Sequence, residues 1–322
     1  MDRFERLASA LRRIPGLEVR ENEPMKRHTT FRIGGPARLM ALPRSRKVRA
    51  ATEAGIAPFF LGNGSNPLVA DHGYEGFVLK ACGLDQVREV NRRLRAESGI
   101  TLARLANAAL GRGLTGLEFA HGIPGTLGGA VVMNAGAYGG EMVQVLTAVT
   151  YLDGAGEEHT LPAAACALTY RHSRFSDRPD WLVLEAELEL RPGDGEAIRA
   201  RMDELAAKRR EKQPLEWPSG GSTFKRPEGH FAAALIEGCG LKGVGTDALS
   251  VDTLRDQQFL AHKTLLDGGL VILESLCLKK VVGRTDLMLF ALPLKFENAD
   301  GAPVRAIAEF RDFPEEKEME AL

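Results

Sequence analysis

The chain has 322 residues, with 42 basic and 43 acidic side chains and a formal net charge of -1. That length allows two or three domains with a sizeable core, and the balanced charge provides no overall field that would attract nucleic acid or an anionic membrane. No apolar stretch reaches the roughly 18 residues that a membrane span needs, and early acidic residues argue against a transit peptide. We expect a cytosolic protein without nucleic-acid partners, whose anionic ligands require a local basic pocket.

The four cysteines lie far apart in the chain and form no Cys-x-x-Cys pair. They are Cys82, Cys166, Cys239 and Cys277. This spacing disfavours both a disulfide framework and a zinc site. We therefore expect four separate thiols and no bound metal.

Hydrophobic periodicity predicts alternating helices and strands in the first part of the chain. Residues 2–13 carry apolar side chains at helical spacing and are followed by a proline–glycine stop. Residues 38–42 and 58–61 have the character of short strands, with a helix expected between them at 48–55. Residues 102–113 are expected to form another helix, and the pattern as a whole is a β/α alternation.

A second group of elements follows the glycine-rich middle of the chain. Residues 149–152 are predicted as a strand, and Asp153-Gly154 as a two-residue hairpin turn. Residues 182–190 alternate in polarity, which predicts a half-buried strand. A break at 192–195 precedes a charged helix at 196–212, and we place a domain boundary before that helix.

Three segments are unusually rich in glycine, namely residues 33–37, 61–66 and 121–140. Glycine lets the backbone approach a ligand closely, and N–H groups gathered in such turns form an anion-binding concavity. Neutral hydrogen-bonding side chains accompany the glycines: Asn63, Ser65, Asn66, Thr126 and Asn134. This mixture suits a pyrophosphate and a ring rich in carbonyl and imide groups, although ordinary turn chemistry is an alternative. Neither a Rossmann fingerprint nor a P-loop is present.

Taken in order, these motifs and later ones resemble the UDP-N-acetylenolpyruvoylglucosamine reductase family. The matching stretches are residues 29–37, 61–66, 116–130, 133–142, 170–175, 221–227, 235–237 and 240–243. Each stretch alone is modest evidence. Their common order and spacing over about residues 28–243 make the resemblance specific.

The resemblance implies an α+β fold. Two N-terminal subdomains, expected at residues 1–78 and 79–195, would hold FAD without a covalent bond, as in the vanillyl-alcohol-oxidase or PCMH-type group. A C-terminal α+β lobe, expected at residues 196–322, would bind the substrate. The Tyr-Gly-Gly-Glu run at residues 138–141 is similar to the shorter form of the family, which lacks an inserted substrate loop.

The family reaction implies a set of chemical tasks. NADPH reduces FAD, and the flavin then reduces an enolpyruvyl ether on a nucleotide sugar to a lactyl ether, a step in peptidoglycan precursor synthesis. Negative charge develops on the α-carbon and its carboxylate, so a cation must hold that charge and an acid must protonate the carbon. The cofactor supplies the redox step.

Two residues match the motifs that carry these tasks. Arg171 lies in Tyr-Arg-x-Ser-x-Phe and fits the cation, because a guanidinium is always charged and binds a carboxylate with two donors. Ser222 lies in Gly-Ser-x-Phe-Lys and fits the proton donor. The local sequence alone leaves Arg171 open as a surface salt-bridge partner of Asp177 or Asp180, and Ser222 as a turn serine.

The resemblance also implies binding residues. Those expected at the cofactor are Arg32, Gly62, Asn63, Gly64, Ser65, Asn66, Gly122, Ile123, Pro124, Gly125, Thr126, Gly128, Gly129, Asn134, Gly136 and Ala137. Those expected at the substrate are Tyr138, Lys225 and Glu237, with a solvated helix face as the alternative for Glu237. His121 stands where the family usually has a small residue, and a covalent flavin bond there is not expected.

The sequence departs from the family near its end. The family has a catalytic glutamate in a Leu-x-Pro-Glu-Val-Arg/Lys-Phe run, and an ungapped alignment on residues 294–296 puts Pro293 at that position. Proline carries no acid and no N–H. Glu297 lies four residues further on, about 13 Å along a strand, and is a weak replacement. The motifs lose register after residue 244.

Two other functions remain open from the sequence. One is a different FAD oxidoreductase of the same fold that acts on a sugar or an alcohol. The Arg171 and Ser222 motifs argue against it. The other is a non-catalytic flavin-binding relative, which Pro293 and the unmatched tail would favour.

Overall fold

The computed structural model describes residues 2–45, 56–90, 93–213, 215–216, 218–221, 225, 229, 243–246, 260–278, 281, 287–293 and 304–310. The chain divides into two compact units, Met1–Lys225 and Arg226–Leu322. The domain boundaries expected after residues 78 and 195 stay predictions.

The first unit contains both helices and strands. Its helices are α1 (Arg3–Leu11), α2 (Leu102–Leu110), α3 (Leu127–Val132), α4 (Arg174–Asp177) and α5 (Gly195–Lys212). Its strands are β1 (Glu18–Pro24), β2 (Pro36–Leu42), β3 (Pro58–Leu61), β4 (Tyr74–Lys80), β5 (Val87–Val90), β6 (Arg93–Glu97), β7 (Leu114–Thr115), β8 (Gly136–Ala137), β9 (Gly140–Glu141), β10 (Leu146–Leu152), β11 (Glu158–Pro162), β12 (Leu182–Leu188) and β13 (Arg191–Pro192).

Most of the elements expected from periodicity are confirmed. They are α1, β2, β3, α2, β10, β12 and α5. The helix expected at residues 48–55 lies outside the described residues. Helix α1 begins where a capping box predicts it, because the Asp2 carboxylate accepts the N–H groups of Phe4 and Glu5 at 2.7 and 3.0 Å.

Two sheets organise this unit. Strands β1, β2, β4 and β3 form a mixed four-stranded sheet in that order, with β2 and β3 both parallel to β4. Strands β11, β10, β12, β6 and β5 form a five-stranded antiparallel sheet. Helices α2 and α3 contribute Leu102, Leu105 and Leu127 to the core beside the larger sheet, and α1 packs over the smaller sheet.

Strand β12 is more buried than its alternating pattern predicts. Glu185 is only 5% exposed and pairs with Arg88 at 2.6 Å. Glu187 accepts hydrogen bonds from Arg93 and Arg95, each at 2.7 Å. These arginines lie on β5 and β6, on the side of the sheet order next to β12. Their aliphatic stems cover the face of β12 that the glutamates were expected to expose.

The turn between β10 and β11 is longer than the predicted two residues. Leu152 pairs with Glu158, so five residues separate the strands. The Asp153 carboxylate accepts the N–H groups of Ala155 and Glu157, both at 2.9 Å. Aspartate therefore organises the turn with its side chain, as in an Asx turn, and the Asp-Gly pair is not a two-residue hairpin.

The second unit has fewer described elements. They are β14 (Gly243–Gly245), α6 (Leu260–Asp267), β15 (Val271–Leu273), β16 (Leu287–Pro293) and β17 (Val304–Phe310). Strands β14 and β15 are parallel, with α6 between them in the chain. Strands β16 and β17 are antiparallel, and Pro293 is the last residue of β16, opposite Val304. Within the described residues, no helix has the length and hydropathy to span a membrane.

Candidate functional site

The glycine-rich segments meet in the first unit. The Thr30 N–H donates to the carbonyl oxygen of Gly64 at 2.9 Å. The side-chain amide of Asn63 donates to the carbonyl oxygen of Pro124 at 2.7 Å. Residues 29–35, 61–66 and 121–126 therefore form one continuous surface of backbone, which we call the glycine cradle.

Two glycines of the cradle lie where no larger residue fits. Gly64 has φ +69°, and a Cβ there would overlap the carbonyl oxygen of His28. A Cβ on Gly62 would overlap the hydroxyl of Thr126. Glycine is required at both positions, because only its bare backbone lets these loops approach so closely.

Two polar groups at the cradle have no hydrogen-bond partner among the described residues. The Nδ1 atom of His121 is buried and has no hydrogen-bond partner among the described residues. Arg209, near the end of α5, is half-buried and has no carboxylate partner in the described part of the chain. Its burial lowers the pKa of its guanidinium. Its Cδ atom lies 3.2 Å from where a Cβ of Gly122 would stand.

These features fit FAD. A buried polar atom without a partner is costly unless a ligand supplies one, and a close-packed backbone lined with glycine suits a pyrophosphate. The residues present would therefore hold a large polar cofactor against the cradle.

The expected cofactor residues differ in what surrounds them. Ser65 and Gly125 face each other across the cradle, with 3.7 Å between the Ser65 hydroxyl and a Cβ built on Gly125. Arg32 lies in the first segment and adopts φ +56°. Gly128 instead packs against Ser98, where a Cβ would come within 2.8 Å of the serine Cβ. Gly128 therefore serves close packing at the start of α3.

The remaining expected cofactor positions lie along the same run of chain. Ile123 is half-buried and packs against the larger core. Gly129 lies in α3, while Gly136 and Ala137 form β8, which pairs with β9. Asn66 is exposed at the end of the second segment.

Arg171 is held by backbone carbonyls. Its Nη2 donates to the oxygen of Gly136 at 2.8 Å and its Nη1 to the oxygen of Asn134 at 3.4 Å. The carboxylates that would have made it a surface salt-bridge residue have other partners: Asp177 pairs with His172 at 2.8 Å, and Asp180 with Arg178 at 3.0 Å. The positive charge of Arg171 is thus oriented without being neutralised.

The rest of the Arg171 motif fixes this segment to the protein. The hydroxyls of Ser173 and Ser176 both donate to the carbonyl oxygen of Val132, at 2.7 and 2.8 Å. Phe175 is 2% exposed and lies edge-on to Tyr151 and Trp181. The serine and phenylalanine of Tyr-Arg-x-Ser-x-Phe therefore anchor the turn that carries the arginine.

Ser222 and Glu237 lie outside the described residues, but the segment leading to Ser222 is described. The hydroxyl of Thr30 donates to the Ser219 oxygen at 2.6 Å, and the Ser219 N–H donates to the Thr30 oxygen at 3.1 Å. A Cβ on Gly221 would lie 3.4 Å from the oxygen of Ser65. The chain directly before Ser222 thus packs against the cradle.

The other two expected substrate residues expose their side chains. Tyr138 adopts φ +52° and is 43% exposed. Lys225 is also exposed. Neither side chain makes a hydrogen bond to another described residue, and their contact with substrate stays a prediction.

Arg209 could not be identified from the sequence. It is one of several arginines and lysines in α5, and neither periodicity nor a motif separates it from Arg210. Only the packing of α5 against Gly122 distinguishes it.

The architecture and the cradle together define an FAD-binding protein of the PCMH type. Residues 45–162 match the family model described as FAD binding domain. Residues 213–288 match the model described as UDP-N-acetylenolpyruvoylglucosamine reductase, C-terminal domain. The expected α+β fold class is confirmed.

Whole-chain relatives agree with these matches. The UDP-N-acetylenolpyruvoylglucosamine reductase of Clostridium novyi (strain NT) is 46% identical over 76% of this chain and 81% of its own. That of Agathobacter rectalis is 41% identical over 94% of this chain and 98% of its own. The crystal structure of the reductase from Thermus caldophilus superimposes with TM-score 0.60 and 33% identity, covering 71% of this chain and 81% of that one. The chain belongs to the UDP-N-acetylenolpyruvoylglucosamine reductase family.

The comparisons also bear on the tail. The C-terminal family model extends to residue 288, well past residue 244, where the motifs lose register. This removes one of the two observations that favoured a non-catalytic relative. The same model ends before Pro293, so the alignment that put proline at the glutamate position lies beyond the matched region.

Proposed function

We propose that Arg171 and Ser222 perform the two tasks that fall to the protein in the reaction of this family. That reaction is the NADPH-dependent reduction of UDP-N-acetylglucosamine enolpyruvate to UDP-N-acetylmuramate, in peptidoglycan precursor synthesis, and the protein is an FAD-dependent oxidoreductase. FAD, when bound, supplies the transfer of two electrons. The protein's own residues bind the substrate, hold its developing charge and deliver a proton.

Arg171 is the cation in this proposal, and its carbonyl partners are the observation that carries it. Two of its five N–H donors are used by Gly136 and Asn134, which leaves donors for a carboxylate. Because no acidic side chain among the described residues pairs with it, the guanidinium is available to the enolpyruvyl carboxylate. Negative charge on that carboxylate grows as the vinyl carbon is reduced, so the interaction strengthens toward the transition state.

Ser222 is the proton donor. A serine hydroxyl is a weak acid, so it donates only after the α-carbon has become strongly basic. Nearby positive charge and hydrogen bonds must stabilise the transient alkoxide. Gly221, the described residue before Ser222 in the chain, packs against Ser65 of the cradle.

Half-reaction kinetics test these assignments. Under anaerobic conditions, Arg171→Ala and Ser222→Ala should both allow NADPH to bleach the flavin at the wild-type rate. Reoxidation by the enolpyruvyl nucleotide sugar should slow by about 100-fold or more in Arg171→Ala, as for removal of one oxyanion donor. Wild-type reoxidation in either variant removes that residue from the mechanism.

The substrate and location follow the same proposal. Tyr138, Lys225 and Glu237 are assigned to the nucleotide sugar, with Lys225 as the cation for its diphosphate. We place the enzyme in the cytosol, where its substrate and NADPH are present and where the expected free thiols stay reduced.

A further inference from the structure

The side chain of Asn134 forms a buried node beside Arg171. It is 1% exposed, and its Nδ2 donates to the Oε2 of Glu141 at 3.1 Å and to the carbonyl oxygen of Thr169 at 3.0 Å. Its Oδ1 accepts the N–H of Val143 at 3.0 Å. Both amide protons are thus used within the protein, which leaves no donor for the cofactor that Asn134 was expected to bind.

The same node holds Arg171 from two directions. Thr169 and His172 pair through backbone hydrogen bonds of 3.0 and 3.2 Å, which close a tight turn with Arg171 at φ +55°. The side chain of Asn134 donates a hydrogen bond to that turn at the Thr169 oxygen. The backbone carbonyl oxygens of Asn134 and Gly136 accept hydrogen bonds from the guanidinium. The backbone and the charged end of Arg171 are therefore fixed by one loop.

Glu141 decides which way the Asn134 amide points. A carboxylate and a backbone carbonyl are both acceptors, so only the NH₂ end of the amide can face Glu141 and Thr169. Glu141 is itself fixed, since β9 pairs it with Gly136 and its side chain caps the following turn at Gln144.

The backbone of the node is strained in the manner of a functional site. Asn134 has φ +39° and Arg171 has φ +55°. Asparagine tolerates the left-handed region, but arginine rarely occupies it. Such conformations persist where the surrounding hydrogen bonds over-determine them.

We infer that Asn134 and Glu141 are positioning residues for Arg171, and that they set the direction in which its free donors point. This inference rests on the proposed role of Arg171. It adds two residues that touch neither the substrate nor the cofactor but act through the arginine.

The first test compares the two half-reactions in single variants. Asn134→Ala should leave FAD binding and NADPH bleaching within about twofold of wild type, and should slow reoxidation by the nucleotide sugar by about 100-fold, because a misplaced group loses about that factor. Glu141→Gln keeps an acceptor oxygen and should lose only a few-fold, whereas Glu141→Leu should resemble Asn134→Ala.

Glu118→Gln is the matched control. Its carboxylate also braces a turn of the same glycine-rich run, by accepting from the Thr115 hydroxyl at 2.6 Å and the Gly116 N–H at 2.9 Å. It has no hydrogen bond to the Arg171 turn. Its variant should lose stability but keep the ratio of the two half-reaction rates.

A pH profile separates positioning from a general loss of structure. In Asn134→Asp the new carboxylate would face Glu141 and the Thr169 oxygen, so it can replace the amide only when one proton is shared between the two acids, which raises the pKa of the pair. Reoxidation in Asn134→Asp should therefore recover as the pH falls, while Asn134→Ala stays slow at every pH. This variant also serves if Asn134→Ala fails to fold.

A double-variant cycle gives the decisive outcome. If Asn134 acts through Arg171, adding Asn134→Ala to Arg171→Ala should slow reoxidation no further. A second full loss in the double variant would overturn the inference and leave the role of Arg171 intact. If Arg171→Ala alone reoxidises like wild type, the proposed function fails instead.

Discussion

His28 shows how single residues set the shape of the cradle. Its carbonyl oxygen is the atom that excludes any side chain at Gly64. Its ring is 7% exposed, with Nε2 2.8 Å from Glu23 and Nδ1 3.1 Å from the Nζ of Lys80. These partners assign a neutral ring that donates from Nε2 and accepts at Nδ1.

This environment predicts an acid-sensitive fold. Burial, together with the nearby charges of Lys80 and Arg20, lowers the pKa of His28 below its ordinary 6.5, against the opposing effect of Glu23. The unfolded chain therefore binds a proton more readily, so stability is lost as pH falls from 6.5 toward the folded pKa.

Urea midpoints measured between about pH 7.5 and pH 5 check this sign. The wild type should lose stability over that range, and His28→Gln should show a flatter profile. His72→Gln, which removes an exposed histidine, is the control and should follow the wild type. Equal slopes for His28→Gln and wild type would contradict the assignment.

Glu23 extends the effect to lower pH. Although burial raises the pKa of Glu23, hydrogen bonds from His28 and Arg20 lower it below its ordinary 4.5. Its contribution is present above that value and is lost as pH falls through the folded pKa. As the pH falls, His28 therefore destabilises the fold first, and Glu23 does so in a lower pH range.

At the scale of elements, the sequence predicted those whose pattern is local. The helical spacing of α1 and the short strands β2, β3 and β10 could be read directly. The parallel pairing of β2 and β3 with β4, and the burial of β12, could not, because both depend on which strands become neighbours. Helix α5 shows the same limit. Its periodicity identifies Ile198 and Met202 as apolar residues on one face, but it does not show that these side chains pack into the core of the first unit.

Glycines illustrate this limit within the loops. The sequence marks Gly16 and Gly64 alike as turn residues, and both have positive φ. A Cβ at Gly16 would meet nothing within 4 Å, whereas one at Gly64 would strike backbone. The glycine-rich composition predicted a cradle. Only the contact between residues 28 and 64 shows that the shape of the cradle depends on Gly64.

The pair Gly64→Ala and Gly16→Ala tests that contact. Both substitutions incur the left-handed penalty of about 1–2 kcal/mol. Only Gly64→Ala should also push the first two cradle segments apart and weaken FAD binding by at least about tenfold. Flavin fluorescence titration of the apoprotein measures the difference. Equal FAD affinity in the two variants would show that the contact does not shape the cofactor site.

At the scale of the whole molecule, motif order along the chain predicted the family, its α+β fold and its FAD chemistry. The roles of the individual site residues stay predictions. Their partners were not predictable, because the carbonyls that hold Arg171 and the node at Asn134 arise from loops that meet only in the folded chain. The placement of Pro293 at the glutamate position stays a prediction, since the matched C-terminal model ends at residue 288.

The first unit binds FAD, and we propose that Arg171 serves the reoxidation of the flavin by the enolpyruvyl nucleotide sugar. Anaerobic absorbance of the purified wild-type protein through one catalytic cycle tests both statements. We expect a yellow protein that NADPH bleaches and that one equivalent of the nucleotide sugar restores to its oxidised spectrum. A colourless protein that takes up no added FAD, or a bleached protein that the nucleotide sugar leaves reduced, would contradict this expectation.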